Sequence, residues 1–124
     1  MKKIILFLTL ILSSLVFANE KPLIVGMELA YPPFEMSDEN GKPIGISVDM
    51  AYALGEYLGR DVIIEDMSYG GLIPALKTKK IDIIISSMSV TDERKQSVNF
   101  STPYAKSYLG MLVNNKSGNT NATE

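Results

Sequence analysis

Three short apolar segments, separated by helix-forming segments, constrain the fold of this chain more than any other feature. They cover residues 23–27 ("LIVGM"), 61–66 ("DVIIED") and 81–86 ("IDIIIS"), and each has the length and β-branched content of a strand. The third is apolar at consecutive positions, so we expect both of its faces to be buried. Buried strands that alternate with helices form a mostly parallel sheet flanked by helices, and the sequence therefore predicts an α/β fold.

The segment "SVDMAYALGEYLG" has apolar residues at helical spacing and predicts a helix between the first two strands. Ser47 is the expected N-cap, and Gly59 is the expected residue just past the end. Gly55 lies inside this helix, where glycine costs about 1 kcal/mol relative to alanine. We therefore expect close packing against Gly55.

Shorter elements complete the prediction. Asn40-Gly41 is a turn signal and predicts a hairpin between residues 34–36 and 44–46. A second helix is expected over residues 71–80, with Pro74 in its first turn, and a third is expected to begin after Thr91 as its N-cap. Further strands are expected in "VNFSTPY" and "SYLGMLVNN", whereas residues 114–124 have the composition of a flexible polar tail.

Residues 1–18 are typical of a secretory signal peptide. Lys2 and Lys3 form a basic head, an apolar run follows, and Val16 and Ala18 give the small-x-small pattern of a cleavage site. The alternative is a membrane anchor, but the apolar run is shorter than the roughly 20 residues that span a bilayer. We expect cleavage after Ala18 and a periplasmic mature protein.

The composition excludes several classes of function. The chain has no cysteine and no histidine, which excludes Cys-His and Ser-His-Asp nucleophile systems, His-based metal sites and a lipid anchor on cysteine. The formal net charge is −2, and lysines cluster only at residues 77–80, so a nucleic-acid surface is not expected. No metal and no cofactor are expected.

Polar side chains follow the strands at the edge where ligands bind in parallel α/β sheets, which is the edge beyond the carboxyl ends. The candidate ligand-binding residues at this edge are Glu28, Tyr31, Tyr69, Ser86, Ser87, Ser89 and Arg94.

The chemistries of these residues are complementary. Arg94 can bind a carboxylate through two parallel hydrogen bonds, and the helix that Thr91 begins adds backbone N–H groups. The serines can accept from an ammonium or donate to a carboxylate, the tyrosine rings can contact a side chain, and Glu28 can face a distal cation. Together they specify a free amino acid. Each also has a simpler interpretation: a solvated arginine, loop serines, packed tyrosines and an exposed carboxylate.

The order of these residues resembles that of the periplasmic amino-acid-binding proteins of ABC uptake systems, the polar amino-acid branch of the solute-binding proteins. The resemblance is carried by "YPPFE", "DENGKPIGISVDMAYALGEYLG" and "GLIPALKTKKIDIIISSMSVTDERKQSVNFSTPY". It implies a periplasmic-binding-protein-like fold in which two α/β lobes close on the ligand.

The resemblance also implies roles for individual residues. The position of Arg94 holds the α-carboxylate, Ser87 and Ser89 bind the α-amino and carboxylate groups, and the rings of Tyr31 and Tyr69 enclose the side chain.

In relatives that take basic amino acids, the positions of Glu28 and Ser86 meet the polar end of the side chain, which favours arginine, lysine or ornithine. The position of Tyr69 is often tryptophan or phenylalanine, and an acidic residue usually follows where this chain has Gly70. This departure affects the expected side-chain preference.

Relatives of this kind are considerably longer, so we expect the chain to be an N-terminal fragment with lobe one only and the second lobe missing. The expected division is a signal peptide over 1–18, an incomplete lobe one over 19–113, and a polar tail or the start of the crossover over 114–124. The expected partners are a free basic or polar amino acid and an ABC permease in the inner membrane, and the expected state is a monomer. Alone, the fragment is expected to bind weakly or not at all. The alternatives are a periplasmic dehydratase-type enzyme and a receptor sensing module on the same fold.

Overall fold

A computed structural model describes residues 20–108 together with residues 110, 112, 114 and 116. The predicted signal peptide, residues 1–18, lies outside the described residues, as does most of the predicted tail. In chain order the elements are β1 (Leu23–Met27), β2 (Ala30–Tyr31), β3 (Glu35–Ser37), β4 (Pro43–Ile44), α1 (Ile46–Leu58), β5 (Val62–Asp66), α2 (Tyr69–Lys77), β6 (Ile83–Ile84) and α3 (Asp92–Lys95).

The central sheet is parallel and has β1 in the middle. Its strand order is β5-β1-β6, with Leu23 opposite Val62 and Val25 opposite Ile83. Because strands that are neighbours in the sheet are separated by helices in the chain, the predicted α/β fold is confirmed. The third strand is shorter than predicted, since only Ile83–Ile84 pairs with β1.

Helices cover both faces of this sheet. On one face, α1 contributes Val48 and Ala51 to a buried cluster with Val25 and Met27 of β1. On the other face, α2 contributes Leu72 and Ala75 to a second cluster, which also contains Ile81 and has Ile24 and Ile84 packed against it. Alternate residues of β1 therefore enter different clusters, as the period of a strand requires.

A small antiparallel sheet stands beside the central one. Met36 of β3 lies opposite Ile44 of β4, which confirms the predicted hairpin around Asn40-Gly41. The prediction missed β2, which pairs with the other edge of β3. The prediction that the hairpin extends to Ile46 is wrong, because Ile46 is the first residue of α1.

The predicted N-cap of α1 is also wrong. The helix begins after Gly45, whose φ of +121° suits glycine, and no side chain of the described residues caps it. The Ser47 hydroxyl instead donates to the buried carboxylate of Glu35. At the other end, Gly59 follows the last residue of the helix as predicted, and its φ of +66° is in the left-handed region.

The second helix begins earlier than predicted, at Tyr69, which places Pro74 beyond the first turn. The reason is a cap from another element: the Glu28 carboxylate accepts a hydrogen bond from the backbone N–H of Tyr69 at 2.9 Å. The third helix follows the prediction, since the Thr91 hydroxyl accepts from the backbone N–H of Arg94 at 3.2 Å.

The predicted strand over residues 98–104 is wrong, because this described segment has no regular secondary structure. The β6 strand at that edge pairs only with β1 within the described part of the chain, so nothing there completes a further ladder. The predicted strand over 107–115 falls partly outside the described residues, and none of its described positions is in a strand. Within the part that the structure covers, no helix has the length and apolar character needed to cross a membrane.

The packing at Gly55 gives a first prediction. A Cβ built there meets the Val62 side chain and lies 2.8 Å from the carbonyl oxygen of Arg60, which confirms the expected close approach. Gly55→Ala should therefore lower the free energy of unfolding by about 1–3 kcal/mol, despite the better helix propensity of alanine. The measurement is urea unfolding followed by circular dichroism.

The matched control is Gly70→Ala, also in a helix, where an added Cβ meets nothing within 4 Å. This variant should be neutral or stabilised by up to about 1 kcal/mol. Equal loss of stability in the two variants would contradict the packing account.

An ion pair that anchors β1 gives a second prediction. One carboxylate oxygen of Asp82 accepts from the backbone N–H of Ile24 at 3.0 Å and from Arg60 at 3.1 Å. The hydrogen bond from Ile24, together with the Arg60 charge, holds the pKa of Asp82 below its usual value. Arg60 also donates to the carbonyl oxygens of Lys21 and Pro22.

A lowered folded-state pKa stabilises the fold above the unfolded pKa, and this contribution disappears as the pH falls through the folded pKa. Stability should therefore fall below about pH 4. Asp82→Asn should lose stability at neutral pH and show a flatter acid limb in pH-dependent unfolding. Asp92→Asn, which breaks an exposed pair with Lys95, should leave the curve unchanged. An acid limb of unaltered steepness in Asp82→Asn would count against this assignment.

Candidate functional site

The carboxyl ends of β1 and β6 are joined by a side-chain hydrogen bond. Ser86, which follows β6, is 3% exposed, and its hydroxyl oxygen accepts from the backbone N–H of Glu28 at 2.9 Å. Ser86 thus uses its hydroxyl to satisfy a backbone group at the end of the neighbouring strand. The two candidate residues at these strand ends are therefore adjacent.

The side chain of Glu28 connects the ends of β1 and β6 to helix α2. Its Oε1 accepts from the backbone N–H of Tyr69, the first residue of α2. The carboxylate therefore satisfies one of the backbone N–H groups that the first turn of a helix leaves unpaired. Among the described residues, Oε2 of Glu28 has no hydrogen-bond partner.

Arg94 lies over the ring of Tyr69. Its Cζ is 5.3 Å from the ring centroid, within the range of a cation–π interaction. Nη1 of Arg94 donates to the carbonyl oxygen and the hydroxyl of Ser89, at 2.9 and 2.7 Å. Nε and Nη2 make no hydrogen bond to other described residues. The guanidinium is thus oriented, with two of its nitrogens available for a ligand.

Among the described residues, Arg94 forms no ion pair with its acidic neighbours Asp92 and Glu93. Arg94 is half-buried, and the Asp92 carboxylate pairs with Lys95 at 3.0 Å. The orientation of Arg94 comes from the loop after β6, through Ser89, and from Tyr69.

Ser87, the next residue after Ser86, contacts two residues that the sequence analysis missed, Glu35 and Tyr104. Its hydroxyl is 3.0 Å from Oε2 of Glu35, and its backbone N–H donates to the hydroxyl of Tyr104 at 3.0 Å. Glu35 is the glutamate of "YPPFE", but a charge in a short sequence motif does not reveal that it is buried. Tyr104 belongs to a segment that was predicted as a strand, which concealed its approach to Ser87.

A cleft with a volume of about 400 Å³ opens beside this loop. It is lined by Tyr31, Ser87 and Ser89 among the candidate residues, and by apolar side chains that include Phe34 and Tyr104. Tyr31 is half-exposed, and its ring stacks on Phe34 with centroids 5.9 Å apart.

The remaining candidates, Glu28, Tyr69, Ser86 and Arg94, do not line this cleft. They form a contiguous group next to it, and Ser89 belongs to both because it bonds Arg94 and lines the cleft. The structure therefore brings the seven candidates to one edge of the sheet in two adjoining groups. Within the described residues, no cluster of carboxylates is arranged to hold a metal ion.

Comparison with known families gives one match. Residues 23–122 match the model of the bacterial extracellular solute-binding proteins, family 3.

The chain is similar to several curated proteins. It is 46% identical over 107 residues to the L-arginine-binding protein of Pseudomonas aeruginosa, which covers 84% of this chain and 41% of that protein. It is 41% identical over 113 residues to the arginine-binding periplasmic protein of Mannheimia haemolytica, covering 91% and 46%. It is 38% identical over 97 residues to the L-cystine-binding protein TcyJ of Escherichia coli, covering 78% and 36%. The chain thus spans less than half the length of these relatives.

Solved structures give the same picture. The arginine-bound form of domain 1 from TmArgBP superposes with a TM-score of 0.65 at 52% identity, covering 66% of this chain and 65% of that one. An ancestral cationic amino acid solute-binding protein superposes with a TM-score of 0.66 at 44% identity, covering 68% and 37%. The matched part of this chain therefore has the α/β fold of one lobe of the periplasmic-binding-protein type.

The hydrogen bonds of the serines give a third prediction. Ser86→Ala leaves the partly buried N–H of Glu28 without its acceptor and should lower the free energy of unfolding by about 1–3 kcal/mol. Ser89→Ala, at an exposed position, should change it by less than about 0.5 kcal/mol. Urea unfolding of the two variants checks this, and equal stability losses would show that Ser86 has no special structural role.

Proposed function

The chain belongs to the bacterial extracellular solute-binding proteins of family 3, and from that premise we propose that it forms the first lobe of a protein that captures a free amino acid outside the cytoplasm. Curated relatives are named for binding arginine, cystine and octopine, which are polar or basic amino acids or their derivatives. The captured amino acid would be delivered to an ABC permease in the inner membrane.

The orientation of Arg94 is the observation that carries this proposal. Ser89 accepts from Nη1 and the Tyr69 ring lies 5.3 Å from Cζ, which leaves Nε and Nη2 as a pair of donors with no partner among the described residues. A carboxylate accepts two parallel hydrogen bonds from such a pair. Each hydrogen bond to a charged group contributes a net of about 1.5–3 kcal/mol. We propose that this pair binds the α-carboxylate of the ligand.

Arginine is the ligand that the residues around Arg94 favour. An amino acid held by its carboxylate at Arg94 has the Tyr69 ring nearby, and also Oε2 of Glu28, which has no partner among the described residues. An aromatic face and a carboxylate together suit a cationic side chain. Tyr31 and Phe34, which line the adjoining cleft, offer further aromatic surface for its apolar stem.

Binding without chemistry fits these residues better than catalysis does. A dehydratase-type enzyme needs a general acid, and Glu28 is the candidate at this edge. Its Oε1 accepts the hydrogen bond from the backbone N–H of Tyr69 at the start of α2, which gives the carboxylate a structural role. No observation favours the alternative of a receptor sensing module.

The chain alone supplies one side of a two-lobed site. Micromolar binding requires about 8 kcal/mol, and the contacts proposed here must also offset the entropy of association. A second lobe would exclude water and strengthen each charged contact. The arginine-bound form of domain 1 from TmArgBP supports binding by one lobe, so we propose weak binding of arginine by this chain.

The division of the chain is part of the same proposal. Residues 1–18 act as a signal peptide that directs the protein to the periplasm, residues 19–113 form an incomplete lobe one, and residues 114–124 are a polar tail or the start of the crossover. We expect the mature chain to be monomeric.

The proposal gives a fourth prediction, tested by titrating the chain with L-arginine and with agmatine, which is arginine without its carboxylate. NMR or calorimetry should give a dissociation constant for arginine weaker than about 10 μM, with agmatine at least tenfold weaker. Arg94→Ala should remove this preference, because it removes the partner of the carboxylate.

The matched control is Lys95→Ala, which deletes the next cation of the same helix, one that is exposed and paired with Asp92. The Lys95→Ala variant should still bind arginine in preference to agmatine. The proposal fails if arginine does not bind at millimolar concentrations, or if Arg94→Ala still discriminates against agmatine. Micromolar or tighter affinity would contradict only the argument that this chain, as one side of a two-lobed site, binds weakly.

A further inference from the structure

Glu35 is a buried carboxylate that the proposed binding site does not use. It is 1% exposed, although it lies in a short strand of the small sheet. Its Oε2 is within hydrogen-bond distance of the hydroxyls of Ser47 and Ser87. A buried carboxylate is costly unless polar partners satisfy it, so these two hydroxyls account for its stability in the interior.

The two hydroxyls connect Glu35 to different parts of the fold. Ser47 is fully buried near the start of α1. Ser87 belongs to the loop after β6 and lines the cleft. Its φ of +49° is in the left-handed region, which a residue other than glycine adopts at a cost of about 1 kcal/mol or more. The bond to Glu35 helps to hold Ser87 in this conformation.

The direction of the hydrogen bond determines what Ser87 can offer a ligand. A serine hydroxyl has a single hydrogen to donate. Ser87 donates this hydrogen to Oε2 of Glu35, 3.0 Å away. What remains toward the cleft are the lone pairs of Oγ, which accept from an ammonium and repel a carboxylate.

Ser89 shows the opposite arrangement. Its hydroxyl oxygen accepts from Nη1 of Arg94, so its hydrogen stays available for donation. Two serines in one loop thus differ in hydrogen-bond polarity because their protein partners differ: an acid for Ser87 and a guanidinium for Ser89.

We propose that Glu35 is a positioning residue of the ligand site, which takes the hydroxyl hydrogen of Ser87 and so makes Ser87 an acceptor for the ligand's ammonium group. The inference rests on the proposed function, because it assigns to the same site the means of recognising the second charge of the amino acid. Glu35 itself does not touch the ligand; it acts through the orientation of Ser87.

The test compares L-arginine with 5-guanidinopentanoate, which is arginine without its amino group, by NMR titration of the chain. The dissociation constant of 5-guanidinopentanoate divided by that of L-arginine measures how well the ammonium is recognised. Glu35→Gln replaces an acceptor-only group by one that also donates, so the ratio should fall roughly three- to tenfold. A merely structural role would weaken both ligands equally and leave the ratio unchanged.

Further variants show whether the effect passes through Ser87. In a Ser87→Ala background, Glu35→Gln should have no additional effect on the ratio, since the hydroxyl is already gone. Ser47→Ala removes the other hydroxyl from the same carboxylate oxygen and should lower stability while the ratio stays within about twofold. If Glu35→Gln does not fold, Glu35→Asp keeps the charge but withdraws it by one methylene, and it should also lower the ratio.

The outcomes separate this inference from the proposed function. If the unsubstituted chain binds no arginine, both fail. If it binds arginine in preference to agmatine but the Glu35 variants keep the ratio of the unsubstituted chain, only the positioning role of Glu35 is overturned. The positioning role is supported if Glu35→Gln or Glu35→Asp lowers the ratio in the unsubstituted chain but does not change it in the Ser87→Ala background.

Discussion

The hydrogen bonds of Glu28 hold together the three elements on which the candidate site depends. Its backbone N–H is bound by Ser86 at the end of β6, and its carboxylate caps α2 at Tyr69. Tyr69 in turn supports the guanidinium of Arg94. Since these contacts run from one residue at the end of the central strand, a shift of Glu28 would move the start of α2, the loop after β6 and the arginine together.

Much of the fold follows from the sequence because apolar periodicity is a local signal. The segments "LIVGM" and "DVIIED" lie within a residue of their predicted bounds, and Thr91 caps its helix as predicted. The errors occur where distant residues decide the outcome. Ser47 is of a residue type that often caps helices, but its hydroxyl donates to Glu35 instead. Helix α2 begins earlier than predicted because Glu28 caps it.

The candidate site divides in the same way. That the seven residues lie at one edge follows from the rule for carboxyl ends of parallel strands. Their individual partners do not follow from it. Ser86 and Ser87 are neighbours in the chain, yet one hydroxyl satisfies a backbone N–H and the other a buried carboxylate. Hydrogen-bond polarity of this kind depends on the three-dimensional partner, which residue types alone do not reveal.

The central claim is that Arg94, oriented by Ser89 over Tyr69, binds the carboxylate of a free amino acid. The most direct measurement is NMR of the arginine side-chain N–H and tyrosine ring resonances during addition of L-arginine. The account predicts that the Arg94 Nε–H and the Tyr69 ring shift together, with one dissociation constant and with contacts from ligand protons to that ring. Saturable binding that leaves both resonances unmoved while other residues respond would contradict it.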